Sequence, residues 1–381
     1  MKALIQTEYG DPTKVLGLHD VPDVEVGSGQ VVIAMEAAVV HAADVRTVLG
    51  TEGFRKKLPR TPGYEGVGRI VAIGSDVKDF TRGTRVFAPI GAGTYREQIA
   101  VSAEGLLTAP EGDAVHVALL SLSPATALLM LQDFVKLKPD DWVVQNAANS
   151  PVGRMVIQLA KELKLRVVNV VKSSPVIGEL KSIGAGAVLL DSEDLRDRVV
   201  AVTQGAPIRL ALDAIGGDAT SRIAGCLADD ATVVNYGAMS GEPCHMPPDL
   251  LASRGIRLCG INPSRQLERH KPEERKAVYT RIGELLAAGR LQARIAATYP
   301  LEDAIEALRY AHSVGDKRFG KVVIRVRDIP PPPPPPPPPP AGVVMGEGEP
   351  AAASSETDAA TEGAEGEAGQ TEPAVTETAA S

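Results

Sequence analysis

This sequence has few cysteines and no long apolar run, and each of these two shortages argues against a class of protein; aromatic residues are also scarce, at 3%. The three cysteines, Cys226, Cys244 and Cys259, are an odd number without close spacing, which argues against a disulfide framework and suits a reducing compartment. No apolar run approaches the roughly 20 residues that a membrane span needs. No signal-peptide pattern precedes the first strand-like run, "MKALIQTEYG". We therefore expect a cytoplasmic protein with no membrane association.

An excess of positive charge is also missing. The formal net charge is −8, but nine of the 48 acidic residues lie after Ala341, where the chain has no Lys or Arg. The rest of the chain is nearly neutral, so nothing indicates a nucleic-acid partner or an anionic membrane surface. Hydrophobic residues make up 44% of the chain, which is enough to fill the cores of two ordinary domains.

The pattern of short runs predicts an α/β protein. Up to about residue 120, β-rich runs such as "VVIAMEAAVV" and "EGVGRIVAIG" alternate with glycine turns, which predicts a twisted, mostly antiparallel β-domain. From Asp141 onward, strand-like runs such as "DWVVQNA" and "RVVNVV" alternate with helical ones. This rhythm predicts a doubly wound parallel sheet that helices cover on both faces.

The last segment of the chain is predicted to be disordered. Eleven consecutive prolines, Pro330 to Pro340, favour an extended polyproline II helix, and the acidic segment after them is too poor in large apolar residues to fold. We expect a disordered, proline-rich and acidic tail over residues 329–381. It is either a solubilising tail or a docking segment for a proline-recognising partner.

The stretch "NAANSPVGRM", residues 146–155, lies where a nucleotide-binding fold places its phosphate turn. The positions of the G-x-G-x-x-G pattern fall on Ala148, Ser150 and Gly153, which are all small enough for a close approach to a pyrophosphate. Asn149 tolerates left-handed backbone angles. We predict that the cofactor contacts Asn149, Ser150, Val152 and Gly153; a plain strand-to-helix turn is the alternative.

The next strand, "RVVNVV", ends in Lys172 and Ser173 rather than in the acidic residue that NAD enzymes place there. A cation beside hydroxyl groups suits a 2′-phosphate, so the implied cofactor is NADPH. Alternatively, Lys172 is only a solvated strand end.

Several motifs are similar to one enzyme superfamily. The run "SLSPATALLMLQDFVKLKPDDWVVQNAANSPVGRMVIQLAKELKLRVVNVVK" resembles the medium-chain dehydrogenase/reductase superfamily, and "QNAANSPVG" and "NVVK" resemble its zinc-free trans-2-enoyl thioester reductase and quinone oxidoreductase-like branch. The resemblance implies a GroES-like catalytic domain from residues 1–124 and 269–328. It also implies a Rossmann NADPH-binding domain over residues 125–268, a cleft between the domains, and a homodimer.

The resemblance also implies that the chain binds no zinc. Zinc-dependent members place a cysteine and a histidine where this sequence has His41 and Tyr64. A catalytic zinc needs three protein ligands, so we interpret His41 as a packed or hydrogen-bonded residue.

Without a metal, the resemblance implies reduction of a 2-enoyl thioester, with hydride added to Cβ and a proton to Cα. The tyrosine to which the family assigns the proton falls here on Glu52. Two residues remain as candidates for the proton donor. Either Tyr64 presents its hydroxyl to the cleft and donates the proton, or Glu52 donates it from a carboxyl group with a raised pKa. The alternatives without a catalytic role are that Tyr64 only forms a wall of the cofactor site and that Glu52 is a solvated charge on a loop.

Further contacts follow from matching motifs. For the cofactor, the resemblance implies Ser123, Thr126, Tyr236, Gly237 and Met239, with Thr126 also beside the reacting nicotinamide. For the substrate pocket, it implies Ile261 and Asn262, where enoyl reductases carry a large aromatic wall, together with Tyr95. A basic stretch, "FRKKLPR", is either a grip for coenzyme A or carrier-protein phosphates or a solvated face.

Three functions remain open at this point. The leading hypothesis is an NADPH-dependent reductase of activated C=C bonds, with enoyl thioesters of coenzyme A or acyl carrier protein as the favoured substrates. The first alternative is a quinone or enone reductase, which needs little specific acid catalysis. The second is an NADPH-binding protein with weak catalysis that recruits partners through its tail.

Overall fold

A computed structural model describes residues 1–51, 55–313 and 320–327. Glu52 and the proline-rich acidic tail lie outside these described residues, so the predictions for them stay predictions. Among the helices in the described ranges, none combines the length and the apolar character that crossing a bilayer requires.

A mostly antiparallel sheet forms one part of the molecule and combines N-terminal strands with the last two described strands of the chain. Its strands follow the order β13-β14-β3-β4-β5, with β6 paired to β3. Only β13 and β14 run parallel. The strands are β3 (Gln30–Val40), β4 (Glu65–Ile73), β5 (Arg85–Phe87), β6 (Gln98–Ser102), β13 (Ile295–Pro300) and β14 (Lys321–Arg325), and a separate hairpin joins β1 (Lys2–Gln6) to β2 (Leu16–Asp20).

A fully parallel sheet, built from the middle of the chain, forms the other part of the molecule. Its strand order is β12-β11-β10-β7-β8-β9, so the chain reverses direction across the sheet between β7 and β10. In such sheets, ligands bind beyond the carboxyl ends of the strands at this reversal. The strands are β7 (Trp142–Gln145), β8 (Arg166–Val171), β9 (Ala187–Leu190), β10 (Ile208–Asp213), β11 (Thr232–Asn235) and β12 (Arg257–Gly260).

Helices connect and cover both sheets. They are α1 (Pro12–Val15), α2 (Ala42–Leu49), α3 (Ala114–Ala118), α4 (Ser123–Asp133), α5 (Pro151–Glu162), α6 (Ile177–Ser182), α7 (Leu195–Thr203), α8 (Asp218–Gly225), α9 (Pro263–Glu268), α10 (Pro272–Ala287) and α11 (Ala304–Ser313). Short 3₁₀ turns occupy Ser174–Val176 and Leu301–Asp303, and a π turn occupies Asp249–Ser253.

The helix α4 connects the two sheets. Every residue from Ser123 to Leu131 is buried. One continuous apolar core includes Val39 of the first sheet, Leu129 of α4 and Val143 of the second sheet. Because this core is shared, the elements on either side of the cleft are held in one packed unit.

The α/β architecture confirms the predicted fold class: a GroES-like β-rich part and a Rossmann parallel sheet. Sequence analysis did not predict α4, because a helix that is buried on all sides lacks the periodic apolar stripe that marks an amphipathic one. The predicted domain boundaries at residues 124 and 269 stay predictions.

Candidate active site

A cavity of about 310 Å³ opens between the two sheets; we call it the cleft cavity. The first sheet and its connections contribute His41, Tyr64 and Lys321 to its wall, and the segment after β11 contributes Tyr236. Of the residues predicted for the site, the structure brings ten together here: Tyr64, Ser123, Thr126, Ser150, Val152, Tyr236, Gly237, Met239, Ile261 and Asn262.

An adjoining cavity of about 450 Å³ shares Ser123, Ser150, Met239 and Lys321 with the cleft cavity and also includes Asn149. Its described lining residues include several basic side chains and no Asp or Glu. These basic residues are Arg46, Arg154, Arg294, His312 and Lys321. Arg154 and Arg294 both pair with Glu179 behind the wall, so the positive charge of this cavity is partly balanced.

The turn between β7 and α5 is built from small residues and capped by Ser150. The Ser150 hydroxyl accepts a hydrogen bond from the Gly153 amide at 3.1 Å, and Pro151 occupies the first helical position. A helix N-terminus favours an anion because its first amides have no backbone partner within the helix, although here the Gly153 amide is already used by Ser150. The residue with a left-handed backbone is Ala147, at φ 45°, and not Asn149 as sequence analysis suggested.

Gly153 is needed for the close packing of this turn. A Cβ atom at this position would lie 2.7 Å from the Ala147 carbonyl oxygen and 2.8 Å from the Ala148 Cα. Both atoms belong to the backbone, so they cannot move without moving the turn. The retained glycine of the phosphate pattern therefore serves the approach of α5 to the end of β7.

Tyr236 lines the cleft cavity, and its hydroxyl is a buried polar group. It has no hydrogen-bond partner among the described residues. Burial raises the pKa of this phenol to about 12, and the neighbouring Ser150 acts in the opposite direction. A buried hydroxyl without a partner is costly, so its position favours a ligand that completes its hydrogen bonding.

Lys172 and Ser173 follow β8 directly, beside the phosphate turn. The Ala148 amide of that turn donates to the Val170 carbonyl at 3.2 Å, which places the turn against the end of β8. The side chain of Lys172 is exposed. Neither residue lines the cleft cavity, so they are suited to a more distant part of an extended ligand.

A buried ionic network lies behind the cleft cavity. Glu65, the first residue of β4, has no exposed surface. One carboxylate oxygen accepts from His41 Nε2 at 2.6 Å, and the other accepts from the Ser121 hydroxyl at 2.8 Å and the Leu122 amide at 2.7 Å. His41 Nδ1 lies 2.8 Å from Lys321 Nζ. The network therefore runs from the buried carboxylate to a cation in the wall of the cleft cavity.

The electrostatics of Glu65 favour its ionised form. Burial alone would raise the pKa of this carboxyl, but the hydrogen bond from His41 and the nearby positive charge outweigh burial, and the pKa lies below its usual value. A buried carboxylate is tolerated only when it is paired and its oxygens accept hydrogen bonds, which is the arrangement here.

Thr126 has a defined hydroxyl orientation. Its Oγ1 donates to the Leu122 carbonyl at 2.7 Å, within the first turn of α4. The hydroxyl hydrogen is therefore already used, and Thr126, which lines the cleft cavity, keeps only the acceptor capacity of its hydroxyl oxygen. This geometry suits a positioning contact better than proton donation.

Two members of the basic stretch stack on aromatic rings. Arg55 lies 5.0 Å from the ring centre of Tyr9, and Lys56 lies 5.3 Å from that of Tyr64. Burial lowers the pKa of Lys56, with a smaller contribution from the charge of Arg60. None of the four cations of this stretch lines the cleft cavity.

Tyr95 requires a correction. We predicted it as a wall of the substrate pocket, but it is fully buried, and its hydroxyl donates to the Val39 carbonyl at 3.2 Å. It does not line the cleft cavity. It belongs to an apolar core that includes Val40 of β3, Val48 of α2 and Leu308 of α11.

Sequence analysis did not predict the roles of Glu65 and Lys321. Both stand in motifs that were visible, "GYEG" and "GKVVI". A carboxylate at the first position of a buried strand indicates an ion pair, because such a group needs a cationic partner. The partner itself lies 280 positions from His41 in the chain, so only the fold reveals it.

Comparisons with known proteins agree with this architecture. Residues 27–111 match the profile described as alcohol dehydrogenase GroES-like domain, and residues 151–276 match the profile described as zinc-binding dehydrogenase. The chain is 35% identical over 315 residues to the mitochondrial enoyl-[acyl-carrier-protein] reductases of Mus musculus and Homo sapiens, covering 81% of this chain and 84% of each relative. The chain belongs to the medium-chain dehydrogenase/reductase superfamily.

Solved structures of two kinds of reductase are similar to this chain. A mycobacterial quinone oxidoreductase is 26% identical with a TM-score of 0.77, covering 86% of this chain and 100% of that chain. An enoyl thioester reductase from Candida tropicalis, at 23% identity and a TM-score of 0.73, covers 85% of this chain and 99% of that chain and shares the fold. Because the enoyl reductases with the highest identity above are mitochondrial, a cytoplasmic location stays an expectation.

One matching profile is named for zinc, yet the side chains of the cleft cavity do not fit that ion. Both ring nitrogens of His41 are already engaged, by Glu65 and by Lys321. Tyr64 stands where the second zinc ligand would be. Within the described ranges, no three His, Cys, Asp or Glu side chains are grouped so that they could hold a metal.

We predict that Gly153→Ala displaces the phosphate turn, because its Cβ would overlap backbone atoms of residues 147 and 148. The melting temperature should fall by several degrees, since overpacking of this kind costs roughly 1–3 kcal/mol. The matched control is Gly225→Ala in α8, where a Cβ meets nothing within 4 Å. The control should hold or raise the melting temperature, and an equal fall in both variants would contradict the packing argument.

Proposed function

We propose that this protein is an NADPH-dependent reductase of activated C=C bonds, with 2-enoyl thioesters of coenzyme A or acyl carrier protein as the favoured substrates. Family membership supports an oxidoreductase that acts on C=C bonds. The observation that carries the proposal is the cleft cavity, where the capped phosphate turn, the buried Tyr236 hydroxyl and the polar residues of α4 converge. The 35% identity to enoyl-acyl-carrier-protein reductases supports the substrate class.

The described residues fit a dinucleotide. The N-terminus of α5, with Ser150, Val152 and Gly153 around it, would hold the pyrophosphate beside the adjoining cavity. Lys172 and Ser173 would hold the 2′-phosphate. A mycobacterial protein of this fold, 26% identical with a TM-score of 0.76, was solved in complex with NADPH, which supports the choice of cofactor.

The nicotinamide end would lie in the cleft cavity. There, Tyr236 would complete its hydrogen bonding on the cofactor, and Ser123, Thr126, Gly237 and Met239 would contact it. When bound, the reduced nicotinamide supplies a hydride to the β-carbon of the substrate. Since the Thr126 hydrogen is used by Leu122, the role of Thr126 is to position the ring.

The reaction requires a proton at Cα as well. Hydride addition to Cβ moves the electron pair of the double bond towards the thioester oxygen, and a proton on Cα then completes the saturated product. Tyr64 lines the cleft cavity, and we propose that its hydroxyl delivers this proton. Glu52, the other candidate donor, lies outside the described residues.

The acyl end of the substrate would lie against Ile261 and Asn262. The nicotinamide and the acyl group have to share a cavity of about 310 Å³, so this wall favours short acyl groups. Lys57 of the basic stretch is exposed, and no ring contact is described for it, unlike Arg55 and Lys56. We propose that Lys57 binds the phosphates of the carrier.

A homodimer is proposed on the edge of the parallel sheet. Strand β12 is the last strand on its side, and Leu258 in it is 36% exposed. An exposed edge strand with an apolar residue is suited to pairing with a second copy of the chain.

A quinone or enone reductase is the second candidate. The 26% identity and TM-score of 0.77 to a mycobacterial quinone oxidoreductase favour it. To separate the two, NADPH oxidation is measured with crotonyl-CoA and with a simple quinone. We expect crotonyl-CoA to be reduced with the higher kcat/KM; activity on the quinone alone would contradict the thioester proposal.

We predict that Lys172→Ala weakens NADPH and leaves NADH unchanged. Loss of one charge-assisted hydrogen bond to the 2′-phosphate should raise the NADPH dissociation constant roughly 10-fold. Isothermal titration calorimetry with both dinucleotides checks this. Lys181→Ala, an exposed lysine on α6, is the control and should match the wild type. Equal weakening of both dinucleotides would remove the assigned role of Lys172.

We predict that Tyr64→Phe lowers kcat on crotonyl-CoA roughly 100-fold, because the variant loses the proton donor and keeps the ring that Lys56 contacts. The NADPH dissociation constant should stay within about 2-fold of the wild type. Steady-state kinetics and calorimetry provide the two readings. Tyr299→Phe, whose ring pairs with Tyr310 outside the cleft cavity, is the matched control. A full turnover number in Tyr64→Phe would eliminate this donor.

A further inference from the structure

The thioesters of the proposed function reach the enzyme on a carrier, and coenzyme A and acyl carrier protein both present the acyl group on a phosphopantetheine arm. Resting on that proposed function, we propose that Arg265 and Arg269 bind the phosphate of this arm. They line a cavity that continues the cleft cavity beyond Ile261 and Asn262, which we call the acyl wall. Arginine suits this role because its planar guanidinium group offers paired donors to phosphate oxygens.

A cavity of about 550 Å³ lies next to the cleft cavity; we call it the arginine cavity. The two cavities have four lining residues in common, namely Tyr236, Gly237, Ile261 and Asn262. Beyond this common wall, the arginine cavity is lined by three basic residues, Arg46, Arg265 and Arg269. An arm that holds its acyl group in the cleft cavity can therefore continue directly into the arginine cavity.

Arg265 and Arg269 carry positive charge that no described carboxylate pairs with. Among the described residues that line the arginine cavity, none is an Asp or a Glu. The Arg265 guanidinium has neither a hydrogen bond nor an ion pair within the described part of the chain. Arg269 donates to the neutral side chain of Gln266 at 3.2 Å. Because Arg46 makes a further interaction, we assign the ligand to Arg265 and Arg269.

The two arginines lie on one face of α9. Arg265 and Arg269 are four positions apart, and Arg269 continues the helical backbone at φ −75°. Like charges at this spacing repel one another, which disfavours the pair in the absence of a ligand. An anion bound between the two guanidinium groups replaces this repulsion with attraction.

Hydrogen bonds to neighbouring elements hold α9 in place. Asn262 of the acyl wall caps the start of the helix through a 3.1 Å hydrogen bond. At the other end, Gln266 accepts from Arg269 and donates to Asp133 of α4 at 2.8 Å. The same Asp133 oxygen lies 2.8 Å from His270 Nε2, so this carboxylate has its own cationic partner when His270 is protonated. The helix that carries the arginines is therefore fixed relative to the acyl wall before a substrate binds.

The strand order separates α9 from the proposed phosphate sites of the cofactor. The order is β12-β11-β10-β7-β8, with the phosphate turn after β7 and Lys172 after β8, whereas α9 follows β12. Neighbouring strands lie about 4.8 Å apart, so the end of β12 is about 14 Å across the sheet from the end of β7. A dinucleotide that runs from Lys172 to Tyr236 therefore leaves the arginines to an anion of the second substrate.

The test uses three crotonyl thioesters. Crotonyl-pantetheine lacks the phosphate, and crotonyl-CoA and crotonyl-acyl carrier protein both have it. For the double variant Arg265→Gln/Arg269→Gln, we expect KM to rise about 10-fold with both phosphate-bearing thioesters, because charge-assisted hydrogen bonds are lost, while kcat stays within about 2-fold of the wild type. With crotonyl-pantetheine, kcat/KM should stay within about 2-fold, since that substrate has no phosphate to lose.

Two further measurements control this comparison. Arg196→Gln, an exposed arginine of α7, is the matched control and should leave the KM of every thioester unchanged. The wild type needs no substitution: its KM for crotonyl-pantetheine should exceed that for crotonyl-CoA about 10-fold. Equal KM values for these two thioesters in the wild type would overturn the inference without any variant.

The outcomes separate the inference from the proposed function. A wild-type enzyme that reduces none of the three thioesters overturns the proposed function, and this inference with it. A wild-type enzyme that reduces crotonyl-CoA while the double variant keeps its KM overturns the inference alone. An equal rise in KM for crotonyl-pantetheine would give the two arginines a structural role, and this result also overturns the inference.

Three other results would assign the arginines or the phosphate differently, and each overturns the inference. A rise in KM for crotonyl-CoA without one for crotonyl-acyl carrier protein would place the adenosine phosphates at α9. A weaker NADPH complex in calorimetry would make the arginines cofactor ligands. Lys57 does not line the arginine cavity. A rise in KM with Lys57→Gln and none with the double variant would place the phosphate on the basic stretch.

Discussion

A carboxylate that is shielded from water at the start of β4 is the constraint on which the cleft depends. Glu65 accepts hydrogen bonds from His41 at the end of β3 and from Ser121 and Leu122 just before α4. Since α4 carries Thr126 and shares its core with the parallel sheet, one buried charge fixes the first sheet against the helix that bridges to the second. The same charge requires a cation nearby, and Lys321 provides it through His41.

The two walls of the cleft differ in the groups that form them. The parallel-sheet wall is shaped by backbone geometry: a helix capped by Ser150 and a glycine that admits close packing. The other wall acts through side-chain charge, with an ion-paired network whose cation end meets the cavity. The proposed function assigns the dinucleotide mainly to the first wall.

Much of the fold and part of the site could be predicted from the sequence. The parallel sheet followed from alternating strand and helix patterns, and the phosphate turn followed from small residues between β7 and α5. The helix α4 was missed because it is buried all around, and the left-handed residue was misplaced because alanine rarely adopts that conformation. Tyr95 was placed in the pocket because a local motif does not show which side chains the rest of the fold covers.

The sequence by itself determined the fold class, the phosphate turn and the superfamily, because each of these depends on residues that are near one another in the chain. Only the tertiary structure decided that Lys321 contacts His41, that Glu65 is buried against both, and that Tyr236 has a buried hydroxyl without a described partner. These features depend on pairing between distant strands and on burial. Both arise from the packing of the whole chain, so no local pattern encodes them.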